Sequence, residues 1–129
     1  MTWPDTWPDH VRRFYAGLAS RFGWPAWVIE GVAANVEYLR RLTDSAGERR
    51  YFSFTGEEST WLYETVEDRG ELVVIRQVEV DPAGAVRGYG WQHREDEHGM
   101  LTEQPITPED EVDRIDRTVF DVAWRAADC

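Results

Sequence analysis

The hydrophobic period of this chain changes from helical to twofold at Asp44-Ser-Ala-Gly47, and that change constrains the fold more than any motif does. Ahead of it, Val11, Phe14, Tyr15, Leu18, Ala19 and Phe22 follow the i, i+3, i+4, i+7 spacing of one helical face. Pro8 and Asp9 suit a first helical turn, because the N–H that proline lacks would have no partner there, and Gly23 supplies a left-handed cap. These signals predict a helix over about residues 8–22. Trp24-Pro25 restarts the chain, and Pro25 to about Leu42 reads as a second helix with Val28, Val32, Val36 and Leu39 inward. From Val36 onward, alternation as a strand is the competing reading.

Beyond Gly47 the period is two. Arg50–Thr55 and Thr60–Glu67 read as strands, and Asp68-Arg69-Gly70 turns the chain into Glu71–Val80. There Leu72, Val74, Val78 and Val80 are expected on one face, with Val73 and Ile75 on the other, the pattern of a central strand. Asp81-Pro-Ala-Gly84 has hairpin chemistry and delivers Ala85–Trp91 antiparallel. Met100–Glu103 is a candidate edge strand. Thr107 is expected to cap a last helix reaching about Ala126, with Glu109, Asp110, Glu111 and Asp113 near its positive end. Its inward side would be Val112, Ile115, Val119, Val122 and Trp124, and Asp116 offers an alternative helix start. The prediction is an α+β fold: N-terminal helices, a four- to five-stranded antiparallel meander and a C-terminal helix. One domain covers 1–129, with 1–49 as an N-terminal helical extension and 50–129 as the sheet plus last helix.

Charge narrows the partners. All 14 basic residues are arginine, which is what a high-GC coding bias of an actinobacterial type would give. Residues 1–50 hold seven arginines against six acids, whereas the rest holds seven against nineteen, so a balance of −12 lies after residue 50. Phosphate backbones and anionic lipids should repel such a chain, which argues against nucleic acid and membrane and for something cationic. No stretch is apolar enough to span a bilayer, and the start lacks the basic and apolar regions of a signal peptide. Cys129 is the only cysteine, so no intramolecular bridge can form, and a reducing cytoplasm is the expected location.

At Leu62-Tyr-Glu64, Val66 and Asp68, then Arg76-Gln-Val-Glu79 followed by Gly84 and Gly88-Tyr89, the chain resembles a family of small bacterial domains of unknown function. That family's pattern runs Leu-Tyr-Ser-Glu, an acidic turn, Arg-Lys-Val-Glu and a glycine hairpin. The likeness continues through Leu101, Pro105 and Ile106 to Phe120, Val122 and Trp124, similar to the family's closing Glu-Phe-Glu-x-x-Trp helix. The serine before Glu64 is missing, Gln77 replaces lysine, and residues 1–49 have no counterpart. The resemblance implies an α+β domain with a helical extension, and no reaction.

Candidate sites are few. His93-Arg-Glu-Asp-Glu-His98 offers imidazoles and carboxylates, but its spacing fits no metal motif and it reads as a solvated loop, so no metal or cofactor is assigned. Glu64 and Glu79 could face one pocket as paired carboxylates, or Arg76 could form a cross-strand ion pair with either. Phosphate loops, nucleophile elbows and cysteine–histidine pairs are absent from the sequence, so catalysis is not expected and no catalytic residue is assigned. Of the seven tryptophans, Trp24, Trp27 and Trp124 are expected in the core, and Trp3 and Trp7 are read as pinning the N-terminal arm. Trp61 and Trp91, in phase with Tyr63 and Tyr89, form an aromatic row that is core if helices cover it and a binding face if they do not.

Two functions follow. The first is an acidic interaction module, such as a cognate inhibitor or immunity protein, that binds a basic protein like a nuclease-type toxin. Its contacts would be Glu57, Glu58, Trp61, Glu64, Glu67, Asp68, Glu95, Asp96 and Glu97. The alternative is a small enzyme or ligand-binding domain. Its aromatic pocket would lie between helices and sheet, at Tyr38, Trp61, Tyr63, Glu64, Arg76, Glu79, Tyr89 and Trp91.

Overall fold

The computed structural model describes residues 3–127, so Cys129 and the Thr2 that opens the Thr-Trp-Pro-Asp repeat lie outside the described residues. Helix α1, Asp9–Phe22, starts after Pro8 and stops at Gly23, whose φ of 63° is left-handed. The Trp24 N–H then reaches back to the Ala19 carbonyl at 2.9 Å and closes the helix end. Helix α2 runs from Ala26 to Asp44 as one piece, and the strand reading of its second half does not hold. Val32, Val36 and Leu39 are buried at helical spacing, which decides the period there.

Strands β1 (Arg49–Thr55), β2 (Thr60–Asp68), β3 (Glu71–Val80), β4 (Val86–Tyr89) and β5 (Asp113–Ile115) form one sheet in the order β4-β3-β2-β1-β5. Every pairing is antiparallel. Arg69 and Gly70 both have positive φ, 53° and 82°, which makes the β2–β3 connection the tight turn that matches strand twist. Helix α3, Arg117–Ala126, closes the described chain. The architecture is therefore α+β as expected, in three layers.

The two faces of the sheet carry separate cores. Trp7, Val11, Tyr15, Leu18, Val32 and Val36 of the N-terminal arm and helices pack on Val74, Tyr89, Trp91 and Leu101. On the other face, Phe120 of α3 packs on Tyr51, Leu62 and Val78. Trp3 and Trp7 do more than pin the arm. They stack at 5.7 Å and join Tyr15 in the first core.

Five expectations need correction. Leu72, Val74, Val78 and Val80 do not share one face, because the β2–β3 register shifts between Glu64 and Thr65: Glu64 faces Arg76, Thr65 faces Val74, and Ile75 is the extra residue. Val74 thus joins the α1–α2 core, and Val78 with Val80 the α3 core. Met100–Glu103 forms no strand; beyond one bridge from Met100 to Glu95, it is held by the Leu101 N–H on the Arg94 carbonyl at 2.8 Å and by the Gln77 side chain, which donates to the Met100 carbonyl and accepts the Thr102 N–H, both at 2.9 Å, and the fifth strand is β5 beside β1. The last helix begins after Asp116, the alternative start. Thr107 is held instead in a turn by the Asp110 carboxylate, which accepts its N–H at 2.7 Å. Glu109, Asp110, Glu111 and Asp113 therefore compensate no helix end. The inward side of α3 is Phe120, Ala123 and Trp124, whereas Val119 and Val122 are 51% and 58% exposed. Finally, Trp27 is not core: it is 75% exposed.

Candidate functional site

The acids expected at the partner surface do not converge. Glu57 and Glu58 lie in the β1–β2 turn, while Glu67 and Asp68 end β2 at its opposite tip. At the usual rise per residue these turns are roughly 25–30 Å apart. The Glu95–Glu97 run is largely spent on internal contacts. Glu95 accepts from Arg94 at 2.6 Å, and Glu97 lies 3.5 Å from both Arg21 and His98. Asp96 organises its own loop, accepting the His98 N–H at 2.8 Å, the Gly99 N–H at 3.2 Å and the Tyr89 hydroxyl at 3.0 Å, with His93 Nε2 at 3.0 Å. Burial opposes ionisation of Asp96, but the bonds to His93, the His98 N–H, Tyr89 and the Gly99 N–H outweigh it and hold the carboxyl below the usual range. Among the described residues, no group of three or more His, Cys, Asp or Glu side chains converges as a metal site.

The expected aromatic pocket is dispersed as well. Tyr63, Tyr89 and Trp91 lie in the core that α1 and α2 cover, so that row is packing. The Trp61 ring packs at a tilt against Phe54, with centroids 5.8 Å apart. Glu64 and Glu79 stand on opposite faces, since Arg76, which pairs with Glu64, lies an odd number of residues from Glu79 on β3. Glu79 accepts from Ser59 at 3.0 Å. The structural alternative holds for Arg76, which forms the cross-strand ion pair with Glu64 at 3.6 Å. The Tyr51 hydroxyl donates to Glu64 at 2.9 Å; burial first, then that bond, pushes the Tyr51 phenol up to about 12. Of the expected pocket residues, Tyr38 alone lines the cavity between helices and sheet, while Tyr63 reaches a smaller cleft beside it and Glu64 and Arg76 a pocket on the other face.

That cavity is a groove of about 680 Å³ between α2, the β2–β3 turn and residues 94–105. Its size lies within the range of ligand pockets, roughly 300–1,000 Å³. Val28, Val32, Leu39, Val74 and Leu101 give it an apolar lining. Asp68, Glu71 and Glu103 supply carboxylates, Arg69 and Arg94 supply guanidiniums, with Glu103 4.0 Å from Arg94, and Trp27 stands exposed on its rim. At the β2–β3 end, Tyr38 donates to Asp68 at 2.5 Å, and burial together with that bond pushes its phenol up to about 12. Along the wall runs Arg94, only 8% exposed. Its guanidinium donates to Asn35 at 3.0 Å and to Glu95 at 2.6 Å, while its buried Nε has no partner among the described residues. The backbone of Arg94 is equally fixed: its N–H donates to the Tyr15 hydroxyl at 3.1 Å, and its carbonyl accepts from Leu101 at 2.8 Å.

A second, smaller cleft adjoins the groove, sharing Thr102 and Pro105, and contains Asp110 and Glu111 beside Phe54 and Tyr63. The acids that share a surface are therefore Asp68, Glu71, Glu103, Asp110 and Glu111. Only Asp68 among them belongs to the expected set. Sequence reasoning missed Trp27 because its aromatic bulk reads as core, although its position directly before the inward Val28 places it on the flank of α2. It missed Arg94 because no local pattern distinguishes a buried arginine from the acids around it. No family model, no curated protein and no solved structure matches the chain, so its site is read from its own chemistry.

Proposed function

We propose that this chain is an acidic interaction module that captures a basic protein, as a cognate inhibitor or immunity protein captures a nuclease-type toxin. The observation that carries the reading is the groove beneath Trp27: an apolar trough edged by Asp68, Glu71 and Glu103, which outnumber the Arg69 and Arg94 guanidiniums also in its lining, with an exposed indole at its rim. A lysine or arginine side chain has the matching shape, an aliphatic stem for the trough and a cationic head for the carboxylates. The Trp27 indole adds a face over which such a head is attracted. Exposed tryptophans commonly anchor interfaces, and the formal net charge of −11 would speed the approach of a positive partner. The cytoplasmic location and the likeness to uncharacterised bacterial domains belong to this same proposal. No helix among the described residues is long and apolar enough to cross a membrane.

The test uses the basic products of neighbouring genes, titrated directly against the purified chain at about 50 and about 300 mM salt. The dissociation constant should rise at least about tenfold with salt, and Trp27→Ala or Glu71→Gln with Glu103→Gln should each weaken binding by a similar factor. If no basic product binds, or if binding ignores both salt and these substitutions, the reading is wrong. The volume of the groove favours one second reading, a small-molecule site. Native mass spectrometry of chain purified under mild conditions would support it by a bound mass that Trp27→Ala releases.

A further inference from the structure

In a chain this acidic, one cavity is lined by arginines. Arg49, Arg76 and Arg117 meet at a pocket of about 320 Å³ between the end of α2, the Ser45–Gly47 loop and α3. Arg114 joins Arg49 and Arg117 at the adjoining cleft. The acids lining the two are Glu64 and Asp116. Guanidinium groups gathered in this way repel one another, and the carboxylates paired with them are Glu64, 3.6 Å from Arg76, and Asp121, 3.4 Å from Arg117. We propose that this pocket is a receptor for a small oxyanion, a phosphate or carboxylate group, with Arg76 and Arg117 as its donors and Arg49 as fixed positive charge.

Each arginine is prepared for that role in a different way. Arg49 is locked by oxygens of neutral groups, donating to the carbonyls of Thr43 at 2.7 Å, Ser45 at 3.0 Å and Gly47 at 3.1 Å, so its charge stays uncompensated while its position is set. Arg76 lies over the Trp124 ring at 5.1 Å and is drawn to Glu64 at 3.6 Å. Among the described residues it donates no hydrogen bond, so its fork is oriented but unspent. Arg117 spends only its Nε, on Asp121 at 3.4 Å. Planar forks in fixed positions are the donors that bind carboxylate and phosphate oxygens in pairs. Glu64, 5% exposed and held by Tyr51, orients Arg76 but also opposes an incoming anion. The lining stays net positive with Glu64 counted, so the site should favour a doubly charged oxyanion over a singly charged one, by less than it would without Glu64. It lies on the opposite face of the sheet from the groove under Trp27, so it stands or falls apart from the proposed function.

The probes are inorganic phosphate and acetate, each titrated at constant ionic strength with chloride as the balance, and followed by the arginine Nε–H resonances. Saturable shifts at Arg76 and Arg117 are expected with both probes, tighter for phosphate than for acetate at a pH where phosphate is dianionic. Arg117→Gln and Arg76→Gln should each weaken binding about tenfold or more, and Glu64→Gln should strengthen it several-fold. Arg117 is 73% exposed, so its substitution leaves the fold intact and keeps the test decisive if the other variants misfold. Shifts that fail to saturate, that chloride reproduces, or that Arg117→Gln leaves unchanged would overturn the proposal.

Discussion

Replacing Tyr15 by phenylalanine removes one oxygen from the centre of the molecule and isolates what holds the 92–99 loop over the sheet. Tyr15 is fully buried, and its hydroxyl pins the start of that loop, donating to the Trp91 carbonyl and accepting the Arg94 N–H at 3.1 Å. Burial holds the phenol above the usual tyrosine range, so the proton stays in place across the working pH range. The ring itself keeps its contacts with Trp3, Trp7 and Phe14, which limits the loss to the polar atoms. A buried donor and a buried acceptor are left unpaired, at about 1–3 kcal/mol each, and local relaxation recovers part of that. The expected loss is about 2–4 kcal/mol, or roughly 10 °C in melting temperature for a domain of this size. Urea unfolding followed by tryptophan fluorescence should show a lower midpoint with an unchanged slope. Amide exchange at Arg94 and Leu101 should rise with it. A loss below about 0.5 kcal/mol would mean that the loop is held by something other than this hydroxyl, and the account of how Arg94 is positioned would fail with it.

Phe120→Ala removes the fully buried anchor of α3 against Tyr51 and Trp124 and should cost about 3–5 kcal/mol by thermal or urea unfolding. Val119→Ala and Val122→Ala on the exposed side of the same helix should each stay within about 0.5 kcal/mol. Trp27→Ala should likewise leave the melting temperature nearly unchanged, while weakening capture of a basic partner at least about tenfold, as read by calorimetric titration. Because the folded-state pKa of Asp96 is depressed, its ionised form contributes stability above the ordinary carboxylate range, near pH 4, and that contribution is lost as pH falls through the lower folded value. The advantage of the wild-type chain over Asp96→Asn in acid unfolding should therefore shrink below about pH 4; an advantage that persists there would contradict it.

Local signals in the sequence were enough for α1, the first four strands and the Asp81–Gly84 hairpin, because each is written in residues a few positions apart. The hairpin shows this well: Gly84 takes a φ of 88°, and the Asp81 carboxylate accepts the N–H groups of Ala83 and Ala85, both at 2.9 Å. The last helix was misplaced for a physical reason. Thr107-Pro108-Glu109 has capping chemistry, but Asp110 folds back onto the Thr107 N–H, and the edge of β1 claims Asp113–Ile115 as a strand. Such a long-range pairing overrides a local helix signal and leaves no trace within a short window. The candidate site was less legible still. Its groove depends on Arg94 meeting Asn35, and on Tyr38 meeting Asp68. Both contacts join segments that are distant in sequence.

The single irregularity in the sheet ties these features together. Had β3 alternated without interruption, Val74, Arg76 and Val78 would all point to one side. Either Arg76 would sit beneath α1 and α2 among Val11, Val36 and Trp91, or Val74 would leave that core. An unpaired guanidinium in an apolar core costs far more than a bulge, so an unbroken strand is incompatible with helices on both faces. The extra residue at Ile75 reverses the parity between Val74 and Arg76, and each half of β3 then offers an apolar side chain to its own helix layer. The same reversal sets Arg76 opposite Glu64 and over Trp124, where its donors face the arginine-lined pocket and not the core. The bulge thus lets one short strand support two cores and keeps acidic groove and basic pocket on opposite sides of the sheet.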